Sequence, residues 1–373
     1  MSQQRFKSMG TSGLVTRREV LKALAAAGIA VTAAPFGIRA ASASDEAVFF
    51  TWGGYEDIDA FQNYYIQKQG VAPEYAVYAD AEEALQKLRA GFAVDVAFPC
   101  SHDIPRWLAA EVIQPIDTSR VATWPDIFQV LKDTPNFVID GKNYVVPMNF
   151  GTTSVIYRTD LVDLGGEAES WGILWDERYK GRIGILDSAA DSWYCTAIYA
   201  GISPDKILEP ADIENTNALL RKLRPQVRMY TADPTAMEQG MASGEIVACL
   251  MWSDTAVSLR RQGVPVKLAV PKEGAFKWSC GLVLTKNAPH LDKAYDLMAS
   301  LTSPEAGEYM ISEFGYGHSN RKAFDMLDDA TLETVGLPRD PAQMLAQGKI
   351  FRSQPNDIIA RIENDWEKIK AGF

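Results

Sequence analysis

Between residues 47 and 100 the chain alternates apolar runs with amphipathic ones, and that alternation restricts the folds open to it. AVFFTW at 47–52 has the continuous apolar character of a buried strand. DIDAFQNYYIQKQG at 57–70 follows as a helix with Ile58, Phe61 and Tyr65 on one face. EYAVYAD at 74–80 reads as a strand, EEALQKLRAG at 82–91 as a helix closed by Gly91, and VDVAFPC at 94–100 as a third strand. A βαβαβ series of this kind implies a parallel sheet covered by helices on both faces.

A second α/β series starts after NYVVPMNFGTTSVIYR (143–158), an extended stretch long enough to cross between domains, with Pro147 and Gly151 near its middle. GRIGILD (181–187) reads as a strand, DSWYCTAIYAGI (191–202) and IENTNALLRKLRPQ (213–226) as helices, and MASGEIVACLMW (241–252) as a helix end and strand. Extended chain returns at 266–285, 292–315 is helical, and a last helix runs from about Asn356 to Ala371. With 373 residues, 47% of them apolar, the chain can bury two cores. Two α/β units joined by more than one extended crossing predict a hinge. Ligands of open α/β sheets sit beyond the carboxyl ends of strands, here around Trp52, Cys100, Asp187 and Trp252.

The first 43 residues stand apart. Arg17 and Arg18 precede an Ala-rich run from Ala23 to Ile38 that is broken by Pro35, and Ala41, Ser42 and Ala43 complete a cleavage pattern. This is the pattern of a twin-arginine signal peptide, so the mature protein is expected in the periplasm or at the cell exterior. Removing the segment takes away six basic side chains and one acid, leaving 31 basic against 47 acidic and a formal charge of −16. A surface of that sign repels phosphate backbones and anionic lipid heads and mildly attracts cations, so nucleic acid and membrane binding are not expected.

Catalytic signatures are missing. There is no Gly-x-Ser-x-Gly elbow, no phosphate-binding loop and no complete dinucleotide fingerprint. Cys100, Cys195, Cys249 and Cys280 are widely spaced with no Cys-x-x-Cys pair, and their pairing stays open. Of three histidines, His290 precedes a helix, His318 lies in a Gly-rich turn, and His102 alone follows a strand toward a cleft. Aromatic residues are what the strand ends share: Trp52 and Tyr55, Trp193, Trp252 and Trp278. Such rings grip alkyl groups and attract ammonium ions, and Asp187, Asp191 and Asp254 are neighbouring carboxylates able to pair with one.

These residues sit within a longer resemblance. FFTWGGYEDIDAFQNYYIQKQG, VDVAFPC, YVVPMNFGTTSVIYR, WDERYKGRIGILD, GEIVACLMWSD, VPKEGAFKW, EFGYGHSNRKAF and DWEKIKAGF resemble, in that order, the spermidine/putrescine-binding proteins of ABC importers. The resemblance implies a two-lobed, type II-like periplasmic-binding-protein fold, with hinge crossings and a central ligand cleft. Its lobes would comprise 44–149 with about 279–325, and 150–278 with about 326–373. It implies a monomer without metal or cofactor that closes on a small amine and delivers it to a membrane permease.

Carried over residue by residue, Trp52, Trp252 and Trp278 match tryptophans that sandwich a methylene chain, and Tyr316 and Gln354 match further ligand contacts. The acids match less well. Gly54, beside Gly53, stands where the family has an acid, as do Ser188 and Cys280; Asp191 is retained, His102 replaces an aromatic residue and Cys100 a serine. A cleft with fewer carboxylates suits fewer ammonium groups than spermidine carries. Alternatives are a zwitterion such as 4-aminobutyrate, which would call for an arginine such as Arg158, Arg182 or Arg321, or a quaternary ammonium compound in a tryptophan cage. An enzyme using Cys100, His102 and Cys280 as thiol nucleophile or metal site is the alternative from another class.

Overall fold

The computed structural model describes residues 45–56, 58–79, 81–204, 206–347, 350 and 353–373, and for 58–62, 346 and 347 the backbone only. The segment 1–43 and the side chains of Ile58 and Phe61 therefore lie outside the described part, while Tyr65 is fully buried, as its helical face requires.

One mixed sheet organises the protein. β1 (Val48–Trp52) pairs in parallel with β2 (Glu74–Tyr78) and with β3 (Val96–Ala97). β3 is shorter than its apolar run because the chain leaves the ladder at Pro99, which has no N–H to give; its carbonyl still accepts from Gly281 N. The extended stretch becomes β4 (Val146–Arg158), and β5 (Ile183–Leu186), β6 (Val227–Thr231) and β7 (Ala248–Trp252) form the second parallel set. β8 (Phe276–Thr285) runs antiparallel to β4 along most of its length. The resulting strand order is β2-β1-β3-β8-β4-β7-β5-β6, two parallel halves joined by two long antiparallel strands.

Packing follows the same division. Val146 and Met148 of β4 and Leu282 and Leu284 of β8 belong to a core with Phe49, Phe98 and Met298. Further along, Val155 and Ile156 of β4 and Phe276 of β8 belong to another core, with Trp171, Ile185 and Leu250. Each long strand thus passes from one core into the other, across residues 149–154 and 277–279. This is the two-lobed α/β fold with hinge crossings that the alternation predicts. The helix Asn356–Ala371 buries Ile362, Trp366 and Ile369 in the second core. A smaller cluster around Phe150, Val257, Ile311, Phe324 and Leu332 draws on both sides of the dividing line.

Candidate ligand-binding site

The site lies where the long strands change cores. Alternation puts Asn149, Gly151 and Thr153 on one face of β4. The register then sets Cys280 opposite Asn149, Trp278 opposite Gly151, and Trp252 at the end of β7 opposite Thr153. Gly151 is a seat for an indole: a Cβ there would come within 2.1 Å of the Trp278 ring. Gly151→Ala is therefore expected to displace Trp278 and to destabilise the fold by about 1–2 kcal/mol, as overpacking does. Denaturant titration and tryptophan emission of the variant would check this, and an unchanged midpoint with unchanged emission would show that the indole is not seated on bare backbone.

Two carboxylates reach this face from helix starts. Ser188 caps the helix Ala189–Tyr199, its Oγ accepting from Asp191 N at 3.2 Å and donating to Asp191 Oδ2 at 2.8 Å. Asp191 Oδ1 accepts from Thr153 Oγ1 at 2.7 Å and from Trp252 Nε1 at 3.3 Å, so three side-chain donors fix that carboxylate. Asp254 lies in the first turn of the helix Ser253–Arg261, where its Oδ1 accepts from Thr255 N at 2.8 Å and the carboxylate from the Tyr316 hydroxyl. Burial pushes the Asp254 carboxyl up to about 6, against the pull of those hydrogen bonds, and Glu238 adds to the rise. The same burial, together with Asp254, raises the phenols of Tyr55 and Tyr316. Tyr316 also feels Asp191, which ties both acids to one place.

Rings close the site around them. Trp278 meets Tyr316 edge-on with centroids 5.0 Å apart. Tyr55 packs against Phe98 and Phe314 at 5.1 and 5.4 Å, and its hydroxyl accepts from Asn149 Nδ2 at 2.8 Å. Trp52 donates Nε1 to Phe98 O at 2.8 Å and lies edge-on to Tyr78. Gly53 and Gly54 make the exposed turn after it, Gly54 at φ +92° with Phe314 beside it. Among the described residues neither Asp191 nor Asp254 has a lysine or arginine partner.

Several expected site residues are placed elsewhere. Trp193 is not in a loop: it lies in the helix Ala189–Tyr199, fully buried, its Nε1 bonded to Asn217 Oδ1 at 3.0 Å. The helix starts two residues before the 191–202 read from the sequence, and its second turn, which carries Trp193, faces the core. Asp187 is taken by the last helix, accepting from Trp366 Nε1 and Lys370 Nζ. The Gln354 amide bonds the backbone, accepting from Leu208 N at 2.8 Å and donating to Lys206 O at 3.1 Å, which makes it a clamp on that loop. Arg158 pairs with Asp160, Arg182 donates to Gly244 O, and Arg321 faces Asp126 and Pro125 O, so none of the three meets the two acids.

Cys100 and Cys280 form a disulfide across a span of 180 residues. Their sulfurs are thereby committed, which removes the thiol nucleophile and the thiolate metal site on which the enzyme alternative rested. His102, half-exposed beside Asp103 at 3.5 Å, is left without those partners. Cys195 and Cys249 are buried thiols. His290 takes the helix-start position and bonds Asp95, and buried His318 bonds Leu301 O, its ring pushed down to about 4 by burial. Sequence reasoning missed Asn149, Gly151, Thr153 and Phe314. The period-two pattern of NFGTT could have found the first three.

Residues 58–339 match the family described as bacterial extracellular solute-binding protein. The chain belongs to that family. It is a solute-binding protein and not an enzyme. Similar proteins include the spermidine/putrescine-binding periplasmic protein of Salmonella typhimurium, 26% identical over 349 residues that cover 92% of this chain and 97% of that one. The putrescine/agmatine-binding protein of Pseudomonas aeruginosa is 26% identical over 313 residues, covering 79% and 84%. In fold the chain is similar to a spermidine/putrescine ABC transporter substrate-binding protein from Streptococcus pneumoniae, with a TM-score of 0.73 at 22% identity, covering 88% of this chain and 99% of the other.

Proposed function

We propose that the protein captures a compact amine bearing one or two positive charges and delivers it to the permease of an ABC importer. The observation that carries this reading is the pair Asp191 and Asp254, two partly buried carboxylates set among aromatic rings and matched by no lysine or arginine among the described residues. An anion held out of water without a partner is costly, and an ammonium group of the solute would supply the missing charge. Trp252, Trp278 and Tyr316 would enclose its alkyl part. A zwitterion fits less well, because among the described residues no arginine reaches the two acids, and a quaternary ammonium compound could not donate a hydrogen bond to either of them. The solute names of the relatives, spermidine, putrescine and agmatine, are all amines.

Calorimetry with putrescine, a monoamine, spermidine, choline and 4-aminobutyrate tests the reading. A compact mono- or diamine is expected to bind above spermidine, whose extra ammonium would find no carboxylate. Saturable binding of none of the amines would remove the proposal, and spermidine as the tightest ligand would remove its charge limit.

The reading includes export by the twin-arginine pathway, action in the periplasm as a monomer, and lobes of 44–149 with about 279–325 and of 150–278 with about 326–373. The strands β4 and β8 would serve as the hinge, the lobes closing over the solute. Small-angle scattering is expected to give a smaller radius of gyration at saturating ligand than without it. An unchanged radius at proven saturation would refute the closure.

A further inference from the structure

Two buried polar atoms at the site have no hydrogen-bond partner among the described residues: the indole Nε1 of Trp278 and Oδ1 of Asn149. Such atoms are uncommon in folded proteins, and each one asks what is missing. They also share one face of the β4–β8 pair. Trp278 stands opposite Gly151 and Cys280 opposite Asn149 in the β4–β8 pair, so positions 149 and 151 share the face on which the indole lies. The indole is held in place: Gly151 underlies its six-membered ring and the carbon that carries Nε1, while Tyr316 meets it edge-on. An unfilled donor and an unfilled acceptor therefore sit on one strand face, beside the ring that bonds Asp254.

An ammonium group can satisfy only half of this. It donates, so it could serve Asn149 Oδ1, but it has no lone pair for Trp278 Nε1. A hydroxyl or a secondary amide offers both a donor and an acceptor. We propose that the solute carries, besides its ammonium group, one such neutral group, which takes the Trp278 N–H and donates to Asn149. The preferred class is then a hydroxyalkylamine or a mono-acylated diamine rather than a plain alkyl amine, with Trp278 Nε1 as the selecting atom. This rests on the amine reading above, and the lobe motion proposed there would give the solute access.

The test is a four-carbon series measured by calorimetry on the unmodified protein: butylamine, putrescine, aminobutanol and monoacetylated putrescine. At least one of the last two is expected to bind about tenfold or more above both plain amines, the worth of one added buried hydrogen bond. Trp278→Phe keeps a ring and removes the N–H. It should erase that preference, so that in the variant aminobutanol and monoacetylated putrescine bind no tighter than butylamine, whatever affinity all four lose with the smaller ring. Plain amines binding as tightly as both acceptor-bearing ones would overturn the inference and leave the amine reading standing. An Asp- and ring-lined site that binds none of the four would overturn both. Should Trp278→Phe fail to fold, the ranking on the unmodified protein decides alone.

Discussion

Asp191→Asn is expected to remove about 2 to 5 kcal/mol of amine affinity, the usual cost of taking one partner from a desolvated charge pair. The substitution tests charge and little else. An asparagine Oδ1 can still accept from Thr153 Oγ1 and Trp252 Nε1, and its amide can donate to Ser188 Oγ, which now donates to the carboxylate. The negative charge at the start of the helix Ala189–Tyr199 would be lost, at a stability cost of about 0.3–1 kcal/mol. Folding should therefore survive while binding largely disappears. Calorimetry paired with thermal unfolding separates the two, and a folded Asp191→Asn protein that binds amines like its parent would show that Asp191 is structural, a brace between Thr153 and Ser188.

How far the sequence reveals this site depends on whether a residue's duty is local. The strand and helix alternation is local, and β1, β2, β5 and β7 lie within or overlap the apolar runs that signal them. So is the crossing role of 143–158, whose length exceeds what one core can cover. Trp193 failed for the opposite reason. Its exposure depends on the turn at which the helix after Ser188 begins, and a shift of one or two residues turns an indole from cleft to core. Gln354 and Asp187 failed because their partners, Lys206 with Leu208 and Trp366 with Lys370, lie some 145 to 185 residues away in the chain. The Cys100–Cys280 bond is of the same kind, since only the antiparallel approach of β8 to the end of the first parallel set brings the two sulfurs together.

Asp254→Asn should act on stability and on binding in opposite directions. Burial raises the Asp254 carboxyl from 3.8 to about 6, so the folded protein pays to ionise it at neutral pH. Between those two values the folded state holds a proton that the unfolded state releases, and stability from this group rises as pH falls through about 6. Asparagine is neutral throughout and keeps an oxygen for Thr255 N and the Tyr316 hydroxyl, so at pH 7 the ligand-free variant should be more stable by up to about 3 kcal/mol. The gap should narrow through about pH 6 and vanish below about pH 4. Binding follows the other sign. The ionised carboxylate is the form that pairs with an ammonium group, so the variant should bind amines more weakly at pH 7, and the parent should lose affinity as the pH drops from 7.5 to 5 while the amine stays charged. Thermal unfolding of both proteins across this range, with amine affinity at each pH, reads all four outcomes. A variant that is less stable than its parent at pH 7 and binds amines equally well would mean that Asp254 holds the fold together and takes no part in the site.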